Sequence, residues 1–137
     1  MKVLSIDLGA SSGRTMVVHY ENGLLSIEEL NRFEHTIQDI NGDLKWDIDF
    51  ISTKVIEGVR LGLEKYDDIS SIGIDTWGVD YCYVNNKGEL VHSPFSYRDT
   101  RTNKSSLEVL KIYDYKSLYN EFGMQFLSFN SIFQLYD

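Results

Sequence analysis

Residues 14–20 and 24–33 are two runs rich in apolar and β-branched side chains, and Asn22-Gly23 stands between them. Asn and Gly both tolerate positive φ, so the pair suits the tight turn that matches a hairpin's twist. The pair predicts an antiparallel hairpin. A further strand is predicted over residues 2–7, joined to the hairpin by small residues at 8–13. The N-terminal third is therefore expected to form three strands of one sheet, before any helix. A second Asn-Gly pair, Asn41-Gly42, lies in the loop before Trp46.

The pattern then changes period. Asp47 is placed to cap a helix running to about Tyr66, with Ile51, Val55, Val59 and Leu63 as its apolar stripe. Strands are expected over residues 72–76 and 79–84, with a turn at 85–88. Polar residues 101–106 lead into a helical stretch to Phe122, which Gly123 suits as a C-cap. Asn130 or Ser131 starts a last helix, with Ser131 and Gln134 spaced as a capping box. A helix of about two turns that stops at Asp137 reads as an unfinished element, so the expectation is a chain cut inside a larger protein. The plainer alternative is a short frayed terminal helix. The element order is α/β without the strict strand–helix alternation of a dinucleotide-binding domain.

At 137 residues the chain is expected to be one domain, and 42% apolar residues supply a core. A net charge of -8 argues against nucleic acid as a partner. The single cysteine, Cys82, excludes an internal disulfide and a cysteine-pair zinc site, and is expected to be a buried strand residue. No apolar run approaches the roughly 18 residues of a membrane span, and no signal-peptide core follows Met1. A cytoplasmic protein without a membrane partner is the default expectation.

Three segments carry candidate chemistry. In Asp7-Leu8-Gly9-Ala10-Ser11-Ser12-Gly13-Arg14 a carboxylate ends a buried strand and a turn of small residues follows. Turn N–H groups form anion nests, and glycine lets a ligand approach the main chain. Ser11 and Ser12 add hydroxyls, Arg14 adds a positive charge, and Asp7 lies where a carboxylate holds Mg²⁺ directly or through water. An ordinary hairpin turn, with Asp7 capping local backbone, explains the same pattern. The turn lacks the lysine of a P-loop and the spacing of a dinucleotide fingerprint. In Gly73-Ile74-Asp75-Thr76-Trp77-Gly78-Val79-Asp80 a strand end carries carboxylates, an aromatic ring and a glycine. That set suits a sugar, but a β-turn with Trp77 as a core anchor fits equally. In Tyr97-Arg98-Asp99-Thr100-Arg101-Thr102 the charges read first as a structural ion pair or a helix cap. His19, His35 and His92 lack metal-ligand spacing and read as surface or strand residues. Tyr113, Tyr115 and Tyr119 read as helix packing.

Five segments taken in order resemble the FGGY carbohydrate kinases. They are D-L-G-A-S-S-G-R (7–14), N-G-D-L-K-W-D-I (41–48), G-I-D-T-W-G-V-D-Y (73–81), Y-R-D-T-R-T (97–102) and G-M-Q-F-L-S-F-N-S (123–131). The resemblance implies an actin/hexokinase-like (ribonuclease H-like) domain, a mixed sheet flanked by helices, forming the N-terminal half of a two-domain kinase. Residues 1–137 would be that N-terminal domain, truncated at its C-terminal end. It implies ATP and Mg²⁺ as cofactors, with Gly9, Ala10, Ser11, Ser12, Gly13 and Arg14 at the nucleotide phosphates and Asp7 at the metal. It places Trp77, Gly78, Asp80 and Tyr97 beside the sugar. The Trp-Gly-Val-Asp form points, within the family, to L-rhamnulose, phosphorylated to L-rhamnulose 1-phosphate. The family's catalytic base lies beyond residue 137, so no catalytic residue is expected here. The fragment alone is expected to be inactive, its partners being sugar, ATP and the missing C-terminal domain. Rival readings are a kinase for fuculose or xylulose, a non-catalytic ATP-binding scaffold of the same superfold, and an isolated dinucleotide-binding module, which the missing fingerprint disfavours.

Overall fold

The computed structural model describes residues 1–137. In chain order its elements are β1 (Lys2–Leu8), β2 (Ser12–Glu21), β3 (Leu24–Glu34), β4 (Ile37–Ile40), β5 (Asp43–Trp46), α1 (Ile48–Lys65), β6 (Ile69–Thr76), α2 (Thr102–Ile112), α3 (Tyr115–Phe122) and α4 (Ser131–Tyr136). They fall into two units, Met1–Thr36 with Asp47–Gly78, and Ile37–Trp46 with Val79–Asp137.

The first unit is a four-stranded mixed sheet in the order β3-β2-β1-β6. The β1–β2 and β2–β3 pairs are antiparallel, as the Asn22-Gly23 turn predicts, with Asn22 at φ 52° and Gly23 at φ 80°. β1 and β6 run parallel, which requires a crossover, and α1 supplies it. Alternation puts Leu4, Ile6, Thr15 and Val17 on one face of the sheet, all nearly inaccessible. α1 docks on that face. Asp47 caps it by accepting from the Phe50 amide at 3.0 Å.

The docking line of α1 differs from the expected stripe. Ile51 is buried, but Leu63 is 54% exposed, and Gly58 and Gly62 are buried instead. A step of four residues overshoots a full turn by about 40°, so a stripe of every fourth residue drifts around the helix. Ile51, Val55, Gly58 and Gly62 keep to one side. The two glycines bring the helix backbone onto Thr15 and Leu4.

An ionic pin joins β3 to the end of α1. Glu28 accepts from Lys65 and from the Tyr66 hydroxyl. The Lys65 hydrogen bond, then that of Tyr66, lowers the Glu28 pKa below its ordinary 4.5. A depressed carboxylate contributes stability above its unfolded pKa and loses it as pH falls through the folded one. The stability gap between wild type and Glu28→Gln should therefore be constant above about pH 5. It should close as pH falls below 4.5. Urea titrations at pH 3, 4 and 6 read this directly; a gap that stays constant down to about pH 3 would remove the pin.

In the second unit, β4 and β5 form a hairpin about Asn41-Gly42, where φ is 58° and 93°. The turn was expected and its strands were not, because each is only four residues long. The segment around Phe95 lies along β5, with Trp46 N donating to Pro94 O and Ser96 N to Leu44 O. Residues 79–84 are not a ladder strand as expected. Only an isolated Val84–Leu90 bridge forms, closing the turn at 85–88. Val79 sits at φ 70°, which breaks the extended run, and Cys82 is exposed rather than buried. The helical stretch after Arg101 divides into α2 and α3 because Asp114 caps a new start, accepting from Ser117 N at 3.1 Å. Gly123 ends α3 in the left-handed conformation at φ 65°. The expected capping box of α4 does not form; the Ser131 hydroxyl and Gln134 amide both turn to the Val79 carbonyl. No helix is long and apolar enough to cross a membrane.

Candidate functional site

In the first unit the candidate residues gather at one end of the sheet. β1 ends at Leu8, and Gly9 N closes the turn on Ser12 O at 2.8 Å. The amides of Ala10 and Ser11 take no part in the turn's hydrogen bonds. Gly13 is needed for packing, since a Cβ there would lie 2.4 Å from Phe33 Cζ. Asp7 and Arg14 are register partners and therefore share a sheet face. Arg14 donates from Nε and Nη2 to Asp7 Oδ2, at 2.9 and 2.7 Å. Both side chains are 40% exposed, so the pair orients more than it stabilises. Asp75 is the register partner of Asp7 on β6, and its carboxylate joins the same face.

Trp77 follows β6 and is half-buried, not the core anchor that its size suggested. It stacks on His35, with ring centroids 5.7 Å apart and planes 29° apart. His35 is 5% exposed. Its backbone N donates to Ser11 O at 3.0 Å, and its Nε2 lies 2.9 Å from Gly9 O. Its spacing in the sequence fits only a surface or strand histidine and carries no mark of these contacts. A Cβ built on Gly78 meets no atom within 4 Å, and Gly78 is not among the positive-φ glycines.

In the second unit the centre is Asp80. Its Oδ2 accepts from Trp46 Nε1 at 2.6 Å and Tyr97 N at 3.2 Å, and its Oδ1 from Gln134 Nε2 at 3.0 Å. Asp80 and Tyr97, both assigned to the sugar by resemblance, are thus joined to each other. Gln134, 3% exposed, is a hub and not the capping residue that its spacing from Ser131 predicts. Its Oε1 accepts from Arg101 Nη2 at 2.9 Å. Arg101 lies 4.1 Å over the Phe95 ring. Asp99 serves the backbone instead of the expected ion pair or helix cap: it accepts from Arg101 N and Leu44 N, while Arg101 pairs with Asp137 and α2 starts without a side-chain cap. Burial raises the Tyr81 phenol pKa, with Tyr83 adding to it. No group of three or more His, Cys, Asp or Glu side chains is arranged to hold a metal unaided.

The fold is that of sugar and polyol kinases. It is similar to the crystal structure of Plasmodium falciparum glycerol kinase with ADP, at a TM-score of 0.80 and 20% identity, over 98% of this chain and 28% of that one. Ligand-bound xylulose kinase from Lactobacillus acidophilus gives 0.79 and 16%, over 98% and 27%. The family model for the N-terminal domain of the FGGY family of carbohydrate kinases matches residues 2–136, and the chain belongs to that family. It is 38% identical to a rhamnulokinase of Mannheimia succiniciproducens, over 98% of this chain and 28% of the relative. It is 37% identical to one of Bacteroides thetaiotaomicron, over 96% and 27%. The chain thus spans little more than a quarter of the length of these relatives.

Proposed function

We propose that the protein containing this chain transfers the γ-phosphoryl group of ATP to a hydroxyl of a ketose, L-rhamnulose first among them. Residues 1–137 are the N-terminal part of the first of two domains. The observation that carries the reading is the turn after β1. Its Ala10 and Ser11 amides are uncommitted, and an Asp–Arg pair stands beside them. Backbone donors held in a fixed turn bind phosphate oxygens without reorganising, and phosphoryl transfer rests mainly on such positioning. Gly9 to Arg14 would hold the phosphates, and Ser11 and Ser12 would add hydroxyl donors.

Asp7 fits Mg²⁺. Arg14 engages Oδ2, which leaves Oδ1 outside the pair. Magnesium asks for one or two carboxylates and completes its shell with phosphate and water, so a three-ligand protein cage is not required. Bound there, the ion would neutralise charge on the phosphates. The proton-accepting base is assigned to no residue of this chain. Trp77 would lie beside the sugar, and Gly78 leaves the main chain bare for it. Rhamnulose is favoured over xylulose or fuculose by the two rhamnulokinase relatives.

Steady-state kinetics of the full-length protein with ATP and these three ketoses test the reading. L-rhamnulose should give the highest kcat/KM; a higher value for either rival reassigns the sugar. Gly78→Ala adds a sharper check. With no positive φ and open space around the added methyl group, its Tm should match wild type. Its KM for the sugar should rise about tenfold, as a methyl group obstructing a ligand would do, while the KM for ATP holds. An unchanged sugar KM removes Gly78 from the sugar site.

A further inference from the structure

We propose that His35 is a positioning residue that sets the nucleotide-side turn and braces the Trp77 ring, a role that rests on the kinase reading. His35 makes two separate bonds to the turn, its main chain to Ser11 O and its ring to Gly9 O. A carbonyl only accepts, so Nε2 carries the proton in that contact. Every peptide of the chain is trans. In a trans peptide the C=O and the following N–H point in opposite directions. Fixing Gly9 C=O towards His35 therefore fixes Ala10 N–H away from it, on the open side of the turn. Ala10 N–H is one of the two uncommitted donors. His35 thus aims a donor that it does not touch.

The imidazole is itself held. Phe33 lies 6.2 Å away on a tilted plane, and Phe33 in turn rests against Gly13. The ring also stacks on Trp77. One buried side chain therefore has a polar contact on the phosphate side and an aromatic contact on the sugar side.

Two substitutions in the full-length protein separate the contacts. His35→Phe keeps a ring against Trp77 and removes the donor to Gly9 O. His35→Gln keeps an N–H at similar reach and removes the ring. Calorimetry with a non-hydrolysable ATP analogue reads the first contact without turnover. The sugar KM and tryptophan emission read the second. For His35→Phe the analogue Kd should rise about fivefold, the scale of one net hydrogen bond, with the sugar KM within about twofold of wild type. For His35→Gln the split reverses: the sugar KM rises about fivefold and emission shifts to the red, with the analogue Kd within about twofold. Should His35→Phe fail to fold, His35→Gln alone still reads the split. Variants that lose melting temperature but keep both constants, or that shift both constants equally, overturn the positioning role alone. Wild-type protein that binds no ATP analogue overturns the kinase reading, and this proposal with it.

Discussion

Gly58→Ala should destabilise the protein by about 2 kcal/mol, although alanine is the better helix former by about 1 kcal/mol. The added Cβ would lie 2.1 Å from Thr15 Oγ1, 2.7 Å from Thr15 Cβ and 2.8 Å from Asn31 Oδ1. Thr15 is fully buried and its Cβ is fixed to the β2 backbone, so the obstacle is not a flexible tip. Asn31 is no freer, since its side chain accepts from Thr15 N and donates to Lys54 O. The helix must lift off the sheet, and the neighbouring contact of Gly62 with Leu4 loosens with it. Overpacking of this kind costs about 1–3 kcal/mol, and a lifted helix adds lost burial. Gly73→Ala is the control, since nothing lies within 4 Å of its added carbon. Urea denaturation of both variants decides the point. A Gly58→Ala protein as stable as wild type would mean that α1 does not dock through its glycines.

The elements legible in the sequence were those whose signal is local. Asn22-Gly23 and Asn41-Gly42 demand positive φ whatever surrounds them, and both adopt it. Asp47 caps α1 and Gly123 closes α3 by chemistry confined to one turn of chain. The failures were non-local. Val79 looked like the start of a strand because a β-branched residue favours extended backbone. Two contacts from α4, Ser131 Oγ at 2.6 Å and Gln134 Nε2 at 3.3 Å, hold its carbonyl in a left-handed conformation. Those partners are more than fifty residues away in the chain. Apolar periodicity also misjudged α1, because it counts large side chains and is blind to a face made of glycine. The candidate residues around Asp7 and Trp77 were visible as strand ends carrying polar groups. His35 was not, since its meaning lies in what it touches. A single histidine at the end of a strand carries no signal of a ring stacked on a distant tryptophan.

The second large effect is expected at Asp80. Asp80→Ala should destabilise the protein by about 3 kcal/mol, since buried donors that lose an acceptor cost about 1–3 kcal/mol each. Trp46 is 2% exposed and its indole N–H would lose the 2.6 Å bond to Asp80. The Tyr97 amide would lose its acceptor as well. Gln134 would keep Val79 O and Phe129 O, so its loss is smaller. Asp80→Asn separates hydrogen bonding from bulk. All three donors point at the carboxylate, and an amide offers only one oxygen. If that oxygen serves Trp46 and Tyr97, the new NH₂ group faces Gln134 Nε2. Gln134 could receive it only by flipping, but its Oε1 is engaged by Arg101, and a flip would turn an NH₂ group on the guanidinium. The asparagine variant should therefore lose about half as much stability as the alanine variant, with no relief from repacking. Urea denaturation followed by tryptophan fluorescence measures both losses. Asp80→Ala within about 0.5 kcal/mol of wild type would show that Asp80 is not a structural hub, and would return it to the sugar alone.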